Sequence, residues 1–473
     1  MFLKYHLNLK ISLFLLFVFF INSIENNVVM AQTIIRTLPG YNHTLPFTLV
    51  TGYVGIGEAD DVQLFYYFIE SERNPIDDPL VLWLTGGPGC SGLSCFLIEI
   101  GPLHFDPHTL DESFPSLILN PYSWTKVANI IFLDLPVGTG FSYATSAEKY
   151  YSSDTKSATD AYDFLHKWFV NHPRFINNRL YVAGNSYAGK VVPVVFREIL
   201  RGNEVDQRTQ INLEGYVIGN AGINNDPMEE YERVSYAHCM DLNSDKELAN
   251  GSDYGEGRMN PGLESHQCLY DRHLIDQCLY DTGKEHVLEP SCSSTAPDVS
   301  NLGKLLLEEA SNEIIFSAER EKSSCRHYGY APVSQWTNDP TVQEALQIRK
   351  GTKEKWVRCN HSVAYDFDIT NAFPYHQFLS KRKYSALAYS GDRDCVVPYL
   401  FSLKWVRDLN LTLEDKWRPW YMDGQVVGHT EKYEENGFRL TFATVKGAGH
   451  TATEYKPKEC LAMIDKWFSG HPL

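Results

Sequence analysis

The sequence Arg-Leu-Tyr-Val-Ala-Gly-Asn-Ser-Tyr-Ala-Gly-Lys-Val-Val-Pro-Val-Val-Phe occupies residues 179–196. A β-branched, apolar run leads into a small-residue turn, and a helix-like segment follows. In a sharp turn between a strand and a helix, the small residues Gly184, Ala188 and Gly189 avoid clashes with neighbouring backbone. The turn exposes the hydroxyl of Ser186. Backbone N–H groups at the helix start point at a developing negative charge. The pattern therefore makes Ser186 a candidate nucleophile, although an ordinary turn also fits the bare motif.

An acid and a base follow Ser186 in the order that α/β hydrolases use, Ser, Asp, His. The segment Ser385-Ala-Leu-Ala-Tyr-Ser-Gly-Asp-Arg-Asp394 reads as a strand that ends in two acids. A later run, Leu440 to Val445, is followed by Lys446-Gly-Ala-Gly-His450. A serine hydroxyl needs a base to remove its proton and an acid to orient that base. The chain order supports His450 as the base, although one histidine among 16 is by itself more typical of a surface or packing residue.

A glycine-rich turn supplies the remaining part of such a site. Residues 80–92 read Leu-Val-Leu-Trp-Leu-Thr-Gly-Gly-Pro-Gly-Cys-Ser-Gly, a buried strand running into the turn. Glycine lets a backbone N–H approach a reacting carbonyl closely, so we expect an oxyanion donor here. A tight β-turn around Pro88 is the alternative. The G-K-[ST] ending of a phosphate-binding loop is missing.

Short apolar runs alternate with helix-like segments along the chain, which is typical of a mostly parallel sheet. The runs are 65–70, 79–84, 129–133, 180–183, 213–218, 385–389 and 440–445. Apolar residues between 158 and 169 recur at helical spacing until His172-Pro173, which predicts a crossover helix. From residue 226 to 330 charge, glycine and cysteine replace the strand signal. We therefore predict an α/β-hydrolase fold with core segments 32–225 and 331–473 and an inserted, disulfide-rich lid subdomain at 226–330.

Composition and the N-terminus indicate the cellular route. Residues 1–31 have the basic, apolar and small-residue regions of a signal peptide, so we expect a secreted or vacuolar protein. The apolar run Ile11–Ile21 is too short to span a bilayer. We therefore expect no membrane partner once the signal peptide is removed. A net charge of −17 makes nucleic acid an unsuitable partner. No metal-ligand pattern stands out, and no cofactor is expected.

The cysteines and sequons fit an oxidising compartment. Ten cysteines are present, and the insertion holds five whose pairing the sequence leaves open: Cys239, Cys268, Cys278, Cys292 and Cys325. Four Asn-x-Ser/Thr sequons predict surface glycosylation, at Asn42, Asn250, Asn360 and Asn410.

With these segments the chain resembles the serine carboxypeptidase family, and within it the plant serine carboxypeptidase-like proteins. The resemblance spans nearly the whole mature chain. Its motifs are Trp83-Leu-Thr-Gly-Gly-Pro-Gly-Cys-Ser, Asp134-Leu-Pro-Val-Gly-Thr-Gly-Phe-Ser-Tyr, Gly184-Asn-Ser-Tyr-Ala-Gly, Gly391-Asp-Arg-Asp, Trp417-Arg-Pro-Trp and Gly447-Ala-Gly-His-Thr-Ala. The resemblance implies Ser186 as nucleophile, His450 as base and Asp394 as the acid that orients it. It further implies an oxyanion hole from the N–H groups of Gly87 and Tyr187, and a Cys90–Cys359 disulfide.

Departures from the family pattern concern the substrate. Peptidases of the family hold the substrate's terminal carboxylate with an Asn and two glutamates, whereas this chain has Thr85 for the Asn and Asn185 for one glutamate, and keeps the other acid as Glu99. The expected substrate-binding residues are Thr85, Gly86, Glu99 and Asn185. Arg393 and Cys395, beside Asp394, replace the His and Met common in the plant acyltransferase branch.

Family members with comparable changes are acyltransferases, so the resemblance favours an acyltransferase that moves an acyl group from a glucose ester to an alcohol or amine acceptor. The first alternative is a carboxypeptidase acting on peptides. The second is a non-catalytic secreted glycoprotein that uses the fold as a binding module, which the intact Ser, Asp, His set argues against. The expected partners are a small-molecule acyl donor and acceptor, or a peptide, and the oligomeric state is left open.

Overall fold

The structure, a computed structural model, describes residues 33–107, 109, 114–205, 210–224, 236, 282–290 and 330–473. The predicted signal peptide 1–31, the sequon at Asn250 and most of the predicted lid lie outside these residues. The five clustered cysteines do so too: Cys239, Cys268, Cys278, Cys292 and Cys325.

Twelve strands of the described residues form one mixed sheet in the order β1-β2-β3-β7-β4-β10-β11-β15-β18-β17-β16, with β8 paired to β3. Its strands are β1 Thr33–Ile35, β2 Leu49–Ile56, β3 Val62–Ile69, β4 Leu80–Leu84, β7 Asn129–Leu133, β8 Tyr143–Ala144, β10 Leu180–Asn185, β11 Leu213–Gly219, β15 Ser385–Gly391, β16 Leu413–Met422, β17 Gln425–Glu435 and β18 Phe438–Val445. Three small pairs stand apart: β5 Leu103–Phe105 with β6 Leu117–Leu119, β9 Ser152–Ser153 with β14 Tyr365–Asp366, and β12 Thr282–Gly283 with β13 His286–Pro290.

The middle of the large sheet is parallel, from β7 through β4, β10, β11 and β15 to β18. Antiparallel strands extend it on both sides. All residues of β4, β7 and β10 are buried, as expected for strands covered on both faces. Each of the seven apolar runs in the sequence coincides with a strand of this sheet. The mostly parallel α/β-hydrolase sheet is therefore confirmed.

Helices cover both faces of the sheet. They are α1 Gly92–Ser94, α2 Asp154–Asn171, α3 Ala188–Val205, α4 Ala331–Thr337, α5 Pro340–Ala345, α6 Phe373–Leu379, α7 Tyr399–Asp408, α8 Ala452–Tyr455 and α9 Pro457–Phe468. A π-helical turn, Cys95–Glu99, continues α1. One apolar core lies under α2 and α3, and a second lies under α9 and the π-helical turn.

The predicted crossover helix is α2. Its N-terminus is capped by the Ser153 hydroxyl, which accepts a hydrogen bond from the Lys156 N–H. It ends at His172, directly before Pro173, as the sequence indicated. None of the helices in the described residues is long and apolar enough to cross a membrane.

The parallel strands bring the chemistry-bearing loops to one edge of the sheet. The carboxyl ends of neighbouring parallel strands lie side by side, and in such sheets ligands bind beyond those ends. The glycine-rich turn follows β4, Ser186 follows β10, Asp394 follows β15 and His450 follows β18. Residues separated by up to 365 positions in the chain are thereby placed at one edge.

Candidate active site

Ser186 lies in the turn between β10 and α3. Its backbone has φ of +55°, a left-handed conformation that a non-glycine residue adopts only under constraint. The Ser186 N–H donates to the Gly219 carbonyl over 3.0 Å, and its own carbonyl accepts from the Gly222 N–H over 3.2 Å. A Cβ on Gly184 would lie 2.3 Å from the Leu84 carbonyl oxygen. The turn therefore needs glycine at 184 and holds the serine in a strained, fixed position.

Ser186, His450 and Asp394 form a hydrogen-bonded chain. His450 Nε2 lies 2.9 Å from Ser186 Oγ, and His450 Nδ1 lies 2.8 Å from Asp394 Oδ2. Burial lowers the pKa of His450, but the charge and hydrogen bond of Asp394 outweigh it, so the net pKa is raised. Ser186 and His450, expected from chain order, and Asp394, implied by the family resemblance, are therefore in hydrogen-bond contact, with the ring oriented to accept the serine proton.

Asp394 has no solvent exposure and is held by donors on both oxygens. Oδ1 accepts from the backbone N–H groups of Val396 and Val397 at 2.7 and 3.2 Å. Oδ2 accepts from Asn220 Nδ2 at 2.8 Å in addition to His450. The sequence analysis missed Asn220; its only signal was its place directly after a buried strand, β11.

Asp392, the other acid of the same loop, is directed elsewhere. Its Oδ1 accepts from the Gly447 N–H over 2.6 Å. Arg393 Nε lies 3.5 Å from the same Oδ1 atom. Arg393, one of the departures from the family pattern, is therefore paired with Asp392, and of the two acids only Asp394 reaches the histidine.

The glycine-rich turn packs directly against the Ser186 turn. A Cβ on Gly86 would lie 2.8 Å from Ser186 Cβ and 3.0 Å from the Tyr187 nitrogen. Gly87 has φ of +118°, which glycine adopts without strain. The two N–H groups expected to form an oxyanion hole, those of Gly87 and Tyr187, thus belong to two turns in contact beside Ser186.

Tyr187 is fixed by a buried acid that the sequence analysis missed. Its hydroxyl donates to Asp154 Oδ1 over 2.7 Å, and the Tyr365 hydroxyl donates to the same oxygen over 2.9 Å. Asp154 Oδ2 accepts from the Ile369 N–H over 3.0 Å. Burial and this carboxylate raise the pKa of Tyr187 well above its usual value, so the hydroxyl remains a donor.

The four expected substrate-binding residues are joined in one network around Glu99, which is buried. Glu99 Oε2 accepts from Asn185 Nδ2 at 3.1 Å and from Thr453 Oγ1 at 2.9 Å. Asn185 Oδ1 in turn accepts from the Gly86 N–H at 3.3 Å.

Cys95 extends this network to Thr85. Its thiol donates to Glu99 Oε1 over 3.0 Å and lies 3.3 Å from Thr85 Oγ1. Burial raises the pKa of the Cys95 thiol, so it remains a neutral donor. Cys95 and Thr453 carry no motif and were absent from the sequence interpretation.

A disulfide and a buried acid support the glycine-rich turn. Cys90 and Cys359 are joined, as the family resemblance implied. Asp134 accepts from the Ser91 hydroxyl at 2.6 Å and from the Gly92 N–H at 2.8 Å. Burial raises the pKa of Asp134 to about 6, and these hydrogen bonds offset part of that rise.

The sequons in the described residues differ in accessibility. Asn42 and Asn410 are exposed, in agreement with a surface location. Asn360 is partly buried, and its Nδ2 donates to the Gly138 carbonyl over 3.0 Å. The described residues contain no group of three or more His, Cys, Asp or Glu side chains placed to hold a metal ion.

Comparison with known proteins identifies the family. The sequence profile described as "Serine carboxypeptidase" matches residues 39–470. Serine carboxypeptidase-like 17 of Arabidopsis thaliana is 42% identical, over 93% of this chain and 93% of that protein. Serine carboxypeptidase-like 8 of the same plant is 41% identical, over 99% and 100%.

A solved structure agrees in fold. The crystal structure of Kex1Δp, a prohormone-processing carboxypeptidase from Saccharomyces cerevisiae, superposes with a TM-score of 0.71 at 20% identity, covering 93% of this chain and 95% of that one. Together with the sequence match over most of the chain, these similarities establish that this chain belongs to the serine carboxypeptidase family.

Proposed function

We propose that this protein is a serine carboxypeptidase-like acyltransferase that takes an acyl group from a glucose ester and passes it to an alcohol or amine acceptor. The observation that carries the proposal is the network around Glu99. The carboxyl group of Glu99 accepts hydrogen bonds from Asn185, Thr453 and Cys95. No second carboxyl faces it in this network among the described residues, so a substrate carboxylate would meet one acid here, and not the two that the family's peptidases carry.

A neutral sugar ester places no charge in this pocket. Burying a peptide's terminal carboxylate beside Glu99, without compensating donors, would cost free energy. A neutral ester would not carry that cost. The Thr85 hydroxyl, together with Asn185, offers neutral polar contacts of the kind that a sugar hydroxyl uses. The chemistry of the pocket thus favours the ester as donor.

In the proposed reaction Ser186 Oγ attacks the ester carbonyl carbon while His450 Nε2 takes the serine proton. The N–H groups of Gly87 and Tyr187 stabilise the oxyanion. When the tetrahedral intermediate collapses, the bond to the sugar oxygen breaks and that oxygen takes the proton from His450. Asp394 holds the imidazole and stabilises its charged form throughout.

The acyl group then leaves the enzyme by the reverse sequence. An acceptor hydroxyl or amine attacks the acyl carbonyl and gives its proton to His450, which returns it to Ser186 Oγ as the acyl bond to serine breaks. Water in place of the acceptor gives hydrolysis. We propose that the enzyme acts in the secretory pathway, either secreted or in the vacuole.

The carboxypeptidase alternative shares every step up to the acyl-enzyme, so the test compares substrates. Purified protein is incubated with a panel of glucose esters and a panel of blocked dipeptides between pH 5 and 7, with Ser186→Ala protein as the blank. We expect turnover of a glucose ester, with product yield rising with acceptor concentration at the expense of hydrolysis. Faster cleavage of dipeptides at about pH 5 than of any glucose ester would reject the transferase in favour of the peptidase.

A pair of substitutions tests the observation itself. Thr85→Asn with Asn185→Glu restores the side chains that the family's peptidases carry, and we expect carboxypeptidase activity to rise with an acidic optimum. Thr85→Ser with Asn185→Gln is the matched control, because it alters size at both positions and adds no acid. Equal peptide turnover in the two double variants would contradict the role given to these residues.

A further inference from the structure

The hairpin formed by β12 and β13, Thr282–Pro290, lies against the loop that carries the catalytic acid. The Val287 N–H donates to the Arg393 carbonyl over 3.0 Å, and the Cys395 N–H donates to the Lys284 carbonyl over 3.0 Å. These two hydrogen bonds engage the residues immediately before and after Asp394. The backbone on both sides of the acid is therefore tied to the hairpin.

The same hairpin holds the loop of the catalytic base. The His450 N–H donates to the Glu285 carbonyl over 2.7 Å. A Cβ on Gly449 would lie 2.2 Å from that carbonyl oxygen, so only glycine allows the hairpin to come this close. One short segment thus contacts the backbone of both loops that must keep Asp394 and His450 in register.

Side chains of the hairpin anchor it on the rest of the fold. His286 is buried and stacks on Tyr455, with ring centroids 4.9 Å apart and planes 26° apart. Val287 is 1% exposed. These side-chain contacts hold the hairpin in place, and His286 Nε2 also lies 3.4 Å from the carbonyl oxygen of Gly447 in the His450 loop. The anchor can be removed without altering either catalytic loop in sequence.

The hairpin also contributes charge. Three acids act on the His450 imidazole from three elements: Asp394 from the loop after β15, Glu285 from the hairpin and Glu99 from the π-helical turn. Burial lowers the pKa of His450, and all three acids raise it. Removing the Glu285 charge should therefore let the base lose its proton at lower pH.

We propose that the hairpin Thr282–Pro290 is the positioning element of the triad, and that its backbone sets the placement of Asp394 relative to His450. The hairpin lies within the segment that the sequence assigned to the insertion. Catalysis by the core would then depend on a segment outside the core strands. Its residues act through the triad and touch no substrate, so they are positioning residues, and the inference rests on the proposed function.

The first test removes the anchor with His286→Ala in the full-length protein. A small misplacement of reacting groups costs rate steeply, so we expect kcat to fall about tenfold or more with KM little changed. We also expect the low-field proton resonance of the His450 to Asp394 hydrogen bond to shift or broaden. The matched control is His172→Ala, because His172, at the C-terminal end of α2, is likewise buried and stacks on Trp168, with ring centroids 3.9 Å apart.

The second test keeps the hairpin and removes its charge. In Glu285→Gln the backbone carbonyl remains, and the acid limb of the kcat/KM profile should move to lower pH. Glu289→Gln, the same substitution on the same hairpin, should leave that limb in place.

The outcomes are separable from those of the proposed function. The proton resonance is measured without substrate. If the wild-type protein showed no acyl transfer, the proposed function would be rejected, and the resonance would still test the role of the hairpin. A resonance and kcat in His286→Ala equal to those of His172→Ala, at equal folded fraction, would overturn the inference. So would an unmoved acid limb in Glu285→Gln.

Discussion

Replacement of Asp394 by Asn should disable the enzyme while leaving it folded, and the reason lies in the donors around the carboxylate. One oxygen accepts from the backbone N–H groups of Val396 and Val397, and the other accepts from Asn220 and His450. All four partners donate, so an amide NH2 must face donors on one side. If the NH2 group takes the Oδ2 position, Nδ1 of His450 must present its lone pair to it, and the imidazole must then carry its proton on Nε2.

An Nε2 proton faces the Ser186 oxygen, which lies 2.9 Å away, and the ring can no longer accept the serine proton. Loss of the correct tautomer in serine triads costs about 10⁴ in kcat. We expect a loss of that order, equivalent to about 5 kcal/mol of transition-state stabilisation. The substrate contacts are unchanged, so KM should stay within a fewfold.

The control is Asp392→Asn, because Asp392 lies in the same loop but does not take the hydrogen bond from His450 Nδ1, which Asp394 accepts. Its hydrogen bond from the Gly447 N–H survives if the amide oxygen takes the Oδ1 position. We expect less than a tenfold change in kcat. The assay is steady-state turnover of an activated ester, with circular dichroism to verify folding. A loss at Asp392 equal to or larger than that at Asp394 would refute the reasoning.

Four further predictions follow from the same geometry. Ser186→Ala should lower turnover of every substrate by a thousandfold or more, since nothing else in the triad forms an acyl-enzyme; a variant that keeps a tenth of the rate disproves the assignment. Because the base must be neutral, the raised pKa of His450 should place the acid limb of kcat/KM above the ordinary pKa of a histidine, which a profile between pH 5 and 9 measures; a limb at or below that ordinary value contradicts the prediction. Replacing Cys90 and Cys359 by Ser should lower the free energy of unfolding by up to about 4 to 5 kcal/mol, read from urea midpoints, because 269 positions separate them. Asp134→Asn should cost about 2 to 4 kcal/mol in the same measurement, because its amide meets N–H donors in a buried site.

The strands near the edges of the sheet could not all be predicted from the sequence. Both β2 and β3 lie on the antiparallel side, and only β3 gave a clear apolar run. The long strands β16 and β17 alternate exposed and buried residues irregularly and contain register shifts in their pairing. Period-2 alternation is the signal of a half-buried strand, and bulges erase it. The fully buried parallel strands were easier to predict, because they form nearly continuous apolar runs such as Leu80–Leu84.

By itself the sequence determined the order of the chemistry: an elbow serine after one strand, two acids after a second and a histidine after a third. That was sufficient because glycines and apolar runs mark the turns and strands, and these are local properties of the chain. The residue pattern left Asp392 and Asp394 open, and only the family resemblance favoured Asp394. The tertiary structure brought Asp394 to His450, joined Thr85 to Glu99 through Cys95 and Asn185 to Glu99 directly, and placed Asn220 and Glu285 beside the triad. These choices depend on which side chains meet across strands distant in sequence, and hydrogen-bond distance is set by the packing of the whole sheet.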